Sequence, residues 1–239
     1  MPKPRSHWLP EPHEPLLELA DNLRWVRAPI PGISIKRSMT VARLRDGRLV
    51  IWSAIALDAP SMSALEAWGT PAFLIVPSAL HRLDAAAYKA RYPELVVLAP
   101  LGARNAVAEI VALDGTLADF PADAEVSFRP LDGIGDKEGA MLVRSADGTT
   151  VILNDALFNM PLPRDFPASW LVKVLGSAPG PRVSRLVKLL WCRDRPAFRA
   201  SLQQLSELPE LVRLIVAHDS VAHGGAARAA LSSAVAQFG

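Results

Sequence analysis

The strongly apolar runs of this chain are strand-length, and they fall into two blocks, each followed by segments of helical period. In the first block, Thr40–Leu44 and Arg48–Ala56 flank Asp46-Gly47, the pattern of a β-hairpin. A helix follows over Ser61–Trp68, with Ser61 or Ser63 available as its cap. Phe73–Val76, Asp84–Tyr92 and Leu95–Ala99 then read as strand, helix and strand, with the helix stopped at Pro93. Ala72–Ala99 is thus a β-α-β unit with parallel strands. The second block predicts strands at Val107–Leu113, Glu125–Pro130, Ala140–Arg144 and Thr149–Leu153, the last two flanking Ala146-Asp147-Gly148. Helices follow at Arg182–Trp191 and Pro196–Leu208, then a strand at Val212–Ala217 and a helix at Ala226–Phe238. A single doubly wound sheet would alternate more regularly. Two β-rich stretches, each followed by helices, predict two sheets packed together with helices outside.

Composition narrows the class. A chain of 239 residues, half of them apolar and 21% charged, is no disordered segment. At this length folding buries roughly 70% of the exposable surface, so no disulfide or metal staple is required. The single cysteine, Cys192, rules out an internal disulfide framework and is read as a small buried residue in a reduced, cytoplasmic protein. A net charge of +2 carries no nucleic-acid signature. Met1 to Pro15 lacks the apolar segment of a secretory signal. No run approaches the roughly 18 residues needed to span a bilayer. The expectation is a soluble protein without nucleic-acid or membrane partners. Prolines punctuate the chain: Pro2–Pro15 reads as an extended arm, Pro161–Pro167 as a surface crossing.

Most motifs that carry chemistry are absent. There is no P-loop, no G-x-G-x-x-G after a strand, no G-x-S-x-G elbow and no H-E-x-x-H. What remains is positional. His81 follows the strand Phe73–Val76, Asp155 follows Thr149–Leu153, and His218 follows Val212–Ala217. Loops at strand ends are where rigid scaffolds mount sites. His and Asp are suitable ligands for zinc, iron or manganese. Each also has an ordinary reading: a histidine hydrogen-bonded within its loop, an aspartate capping the next turn. His7 and His13, in the arm, are read as solvated.

The order of these pieces resembles the metallo-β-lactamase superfamily over residues 35–238. Arg43–Ile51 is similar to its opening hairpin, and Phe73–Asp84 occupies the place of its strand followed by H-x-H-x-D-H. Val151–Phe158 resembles the later strand that ends in a bridging aspartate. Leu214–His218, with Gly224-Gly225 and the last helix, resembles the closing strand, histidine and helix. Lys36–Val41 and the Pro77–His81 loop resemble a divergent branch catalogued as a domain of unknown function. The resemblance implies a four-layer αβ/βα sandwich over residues 35–239, preceded by a Pro-rich extension over 1–34. It also implies a metal site that departs from the family pattern. With His81 as the second histidine of H-x-H-x-D-H, Ala79 replaces the first, Leu83 the aspartate and Asp84 the last histidine. Where the family's next histidine stands, Arg129–Gly133 offers only Asp132.

The candidate ligands are therefore His81, Asp155 and His218, with Asp84 or Asp132 as an extra oxygen donor. That set serves one zinc or iron rather than two metals. The expectation is a mono-metal hydrolase acting on a small molecule. Two alternatives stand beside it: a metal-free pseudoenzyme that binds a small ligand or a protein in the former cleft, and a single-iron redox or oxygen-sensing protein. Two further features bear on partners. Arg182, Arg185 and Lys188 recur every three residues on a predicted helix whose Val183, Leu186, Val187 and Leu190 form an apolar stripe; they read as a solvated face or as an anion-recruiting rim. Trp8 can anchor the arm on its own domain or on a second subunit, which leaves a homo-oligomer open.

Overall fold

The computed structural model describes residues 3–166, 168–218 and 221–238. Pro2 of the arm, Pro167 of the proline-rich crossing and Gly239 of the expected domain lie outside them. In chain order the strands are β1 (Leu17–Ala20), β2 (Leu23–Pro29), β3 (Lys36–Arg43), β4 (Arg48–Trp52), β5 (Thr70–Ile75) and β6 (Val96–Ala99). They continue as β7 (Gly115–Thr116), β8 (Val126–Pro130), β9 (Gly139–Ser145), β10 (Gly148–Ile152), β11 (Leu211–Ile215) and β12 (Val221–His223). The helices are α1 (Ala59–Trp68), α2 (Ala85–Arg91), α3 (Arg104–Ala108), α4 (Ala168–Leu175), α5 (Arg195–Ser206) and α6 (Gly225–Ala236).

Strands β1 to β7 form one sheet in sequential order, antiparallel as far as β4 and parallel from β4 to β7. The second sheet runs β12-β11-β10-β9-β8, with β10 and β11 parallel. Strands β1 and β2, in the segment read as an extension, are the far edge of the first sheet.

The layering follows from side-chain alternation. In β4, Leu49 and Ile51 pack with Met62, Leu65 and Tyr88 under α1 and α2, while Val50 and Trp52 face the second sheet. In β9, Met141 and Val143 meet the first sheet, and Ala140 and Leu142 pack toward Phe198, Leu202 and Leu231 of α5 and α6. Strands buried on both faces read as continuous apolar runs. Three apolar clusters thus separate four layers, helix–sheet–sheet–helix, as the sequence predicted. Among the described residues, no helix is long and apolar enough to cross a membrane.

Several local expectations are corrected. Val107–Leu113 is no strand: α3 and the following turn occupy it, and Ala103, Val107 and Val111 bury one face at helical spacing. The cap of α1 is Asp58, whose side chain accepts the Ser61 N–H, rather than Ser61 or Ser63. The basic stripe breaks up because Arg182 exchanges backbone hydrogen bonds with Phe158 before any helix begins. The helical turns that follow widen to a π-turn over Val187–Trp191, which buries Trp191 and leaves Leu190 at 69% exposure, outside the expected stripe. Cys192 is half-buried. Trp170 projects to solvent, unlike the buried Trp25, Trp52 and Trp191.

The arm docks on its own domain. The Trp8 ring lies 4.8 Å from that of Tyr88, and its indole N–H donates to the Leu57 carbonyl. His13 is not solvated; its Nδ1 pairs with the Glu14 carbonyl and its Nε2 accepts the Asp58 N–H.

The turn after β8 is locked onto α5. The Gly133 carbonyl accepts the N–H groups of Arg193 and Asp194, and the Asp132 N–H donates to Ser201 Oγ. Gly133 has φ +80, and a Cβ there would lie 2.1 Å from the Asp194 carbonyl oxygen. Gly32 has φ +82 but open space around it. Urea unfolding should therefore show Gly32→Ala losing about 1 kcal/mol, the left-handed strain alone, and Gly133→Ala losing about 3 kcal/mol or more. Equal losses would show that the turn is not fixed against α5.

Candidate metal centre

The parallel strands β4, β5, β10 and β11 aim their carboxyl ends at one rim of the sandwich. His81 is on the loop after β5, Asp155 after β10 and His218 after β11, so the first sheet supplies one residue and the second sheet two. The three converge. Asp155 Oδ1 is 3.3 Å from His81 Nε2 and 3.6 Å from His218 Nε2. One candidate ligand atom from each residue lies within 4.8 Å of the others.

Each side chain is held from behind. His218 Nδ1 donates to the Lys36 carbonyl at 2.8 Å, which turns Nε2 toward Asp155. The ring stacks on Phe158 with centroids 5.3 Å apart. His81 Nδ1 is 3.0 Å from Ser53 Oγ. Ser53 itself sits at φ 59, a left-handed conformation that costs a non-glycine residue about 1–2 kcal/mol. Asp155 Oδ2 accepts from Ser78 Oγ and Asn154 Nδ2, so Oδ1 is the oxygen left facing the imidazoles. Burial would raise the Asp155 pKa, but the neighbouring His81 and His218 hold it below the ordinary carboxylate value.

The backbone under Asp155 has its own support. Glu138, buried at 1% exposure, accepts the N–H groups of Asn154, Asp155 and Ala156 at 2.6, 2.7 and 2.9 Å. Burial first, and the nearby Asp155 carboxylate second, push Glu138 well above its ordinary pKa against the pull of those three N–H groups. Glu138 was not anticipated. Its sequence context, Asp136-Lys137-Glu138-Gly139, reads as a polar turn, and only the fold folds it inward.

The two other expected ligands stand apart from the cluster. Asp84 is buried in an ion pair with Arg37, whose guanidinium is 2.5 Å from Asp84 Oδ2, and the Ala56 N–H donates to the same oxygen. Asp132 is exposed on the turn locked to α5. Neither joins the candidate metal-binding cluster found among the described residues. The segment Lys36-Arg37-Ser38 serves the site in three ways: the Lys36 carbonyl orients His218, Arg37 neutralises Asp84, and Ser38 binds the Ala217 and Val216 carbonyls through its N–H and Oγ.

The donor set fits one cation. Ligand atoms 2.0–2.2 Å from a tetrahedral zinc lie about 3–4 Å from one another, and the two nitrogen–oxygen separations given above fall in that span. Two imidazoles and a carboxylate also suit iron. The cluster opens on a cavity of about 470 Å³.

No protein-family model matches the sequence, and no curated protein matches it. Among solved structures, the fold is similar to a metallo-β-lactamase from Pontibacter korlensis, with TM-score 0.60 and 10% identity over 95% of this chain and 99% of that one. It is also similar to the DIM-1 metallo-β-lactamase exposed to ceftazidime, with TM-score 0.57, 10% identity and the same coverage. The chain has the metallo-β-lactamase fold.

The raised pKa of Glu138 is testable in the metal-free protein. Glu138→Gln keeps one acceptor oxygen but turns an NH2 donor toward a backbone N–H, so it should cost about 1–3 kcal/mol in urea unfolding at pH 7, whereas Glu138→Ala strands three backbone donors and should cost about 3 kcal/mol or more. A folded state that keeps a proton the unfolded chain releases loses stability as pH rises through the ordinary glutamate value toward its raised one. Glu138→Gln should remove that contribution. A wild-type stability profile over that pH range that matches the profile of Glu138→Gln would show that the Glu138 pKa is not raised.

Proposed function

We propose that this protein is a divergent metal-dependent hydrolase that holds one zinc or iron ion on His81, Asp155 and His218 and acts on a small molecule in the adjoining cleft. The observation that carries the reading is the convergence of three ligand atoms within 4.8 Å, each on a side chain whose other polar atom is already engaged. Such partners orient a ligand and tune it. A cation there would supply Lewis acidity and a nucleophilic water near neutral pH.

The protein's own groups would do the rest. His81 and His218 present Nε2, and Asp155 presents Oδ1, at one point on the cavity wall. The wall around them is mainly aliphatic and aromatic, which limits competing water. The ion pair of Arg37 with Asp84, at the position aligned with the last histidine of H-x-H-x-D-H, favours a single-metal rather than a two-metal site. The same ion pair favours the second reading, a metal-free cleft that binds rather than turns over its ligand.

Metal content decides between them. Untagged protein purified without chelators should carry near-stoichiometric zinc or iron by mass spectrometry, and His218→Ala and Asp155→Asn should each weaken binding at least tenfold. A wild-type protein that stays metal-free after supplementation would sink the hydrolase reading and leave the binding cleft.

A further inference from the structure

The cavity walls differ sharply from the cluster at which they meet. Ile30, Ile33 and Ile35 come from the turn between β2 and β3, Phe158 from the loop after β10, and Leu171 and Leu175 from α4. Ser177 and Ser184, which also line the space, are engaged with backbone near them: Ser177 Oγ donates to the Val172 carbonyl, and Ser184 Oγ accepts the Val187 N–H. Arg82 is bound to the Ala106 carbonyl and Glu109. Hydrogen-bonding capacity left for a ligand therefore concentrates at His81, Asp155 and His218 and at the Nε and Nη2 of Arg82 beside His81. The Arg37 Nε is buried and has no partner among the described residues, although its two terminal nitrogens bind the Ala54 carbonyl and Asp84.

We propose that the cleft takes an amphiphile: an unbranched acyl-type chain lying along the isoleucine, leucine and phenylalanine walls, with a carboxyl-derived head at the His81–Asp155–His218 end. The placement of the head rests on the reading of that cluster as the reactive centre; the placement of the chain does not. A sugar, nucleotide or peptide of the same size would leave its polar groups against apolar walls without partners, a cost that disfavours it. A volume of about 470 Å³ holds a ligand of drug-like size. Helix α4 roofs the chain: Val172 is buried beneath it, while Trp170 and Val174 on its outer side remain 55% and 46% exposed. It behaves as a cover over the space rather than as part of the main core.

The test is calorimetry of the full-length, metal-free protein with hexanoate, octanoate, decanoate and dodecanoate, each below its micelle concentration. Affinity should rise about fourfold per added methylene until the cavity is full. Leu171→Asp and Ile33→Asp, which place a charge in the wall, should each weaken decanoate binding at least tenfold while circular dichroism stays unchanged. Ile33 is a loop residue 37% exposed, so its variant guards against a folding defect. No binding, or affinity independent of chain length, or unaltered binding by both folded variants, would overturn the proposal. A zinc titration of the same preparations separates the two readings. Zinc without chain binding would leave the metal centre standing and refute the acyl ligand. Chain binding by protein that takes up neither zinc nor, in a parallel titration, iron(II) would support the acyl ligand and refute the metal centre.

Discussion

The carboxyl of Glu138, closed over three successive backbone N–H groups, is the contact on which the site depends. A chain leaving a strand into a loop must find partners for the donors that its sheet no longer satisfies. Glu138 supplies them for Asn154, Asp155 and Ala156 at once, from the start of the neighbouring strand β9. Asp155 then projects from a backbone with little freedom left, and Ser78 and Asn154 fix its side-chain torsion. Its pKa is raised by burial and by the Asp155 carboxylate beside it, the electrostatic cost of placing this acceptor under the site.

The histidines are fixed by other means. Strand β3 belongs to the first sheet, yet its opening residues clip the loop that follows β11 of the second. Arg37, between the two clipping residues, turns the opposite way and meets Asp84 at the foot of α2. Removing one partner of such a buried pair strands a charge, so the loop carrying His81 is tied to the same strand that orients His218. Ser53 accepts backbone strain at the end of β4 and places a hydroxyl against His81.

The fold was legible because doubly buried strands such as β4 and β9 write themselves as uninterrupted apolar runs. Positions after strands likewise exposed His81, Asp155 and His218. What failed was local. Val107–Leu113 is β-branched enough to suggest a strand, while its buried positions follow a helical period. Asp84 and Asp132 lay where a motif wanted ligands, but a guanidinium 47 residues earlier and a glycine turn against α5 claimed them. Glu138 and Arg37 were hidden because a buried charge is defined by its tertiary partners, which no local pattern records. The expected extension contributes β1 and β2 to the first sheet. Its Pro and charged residues mask two short strands whose pairing depends on β3.

Because His81 comes from one sheet and Asp155 with His218 from the other, the cluster lies across the seam of the sandwich. Any ion held there is a cross-link between two halves that otherwise meet through Trp52, Met141 and their apolar neighbours. Its binding energy would add to the closure of the seam, and sliding of one sheet over the other would pull the ligands apart. With ligands drawn from both sheets, a change in how the sheets pack would alter the separation of the three ligand atoms.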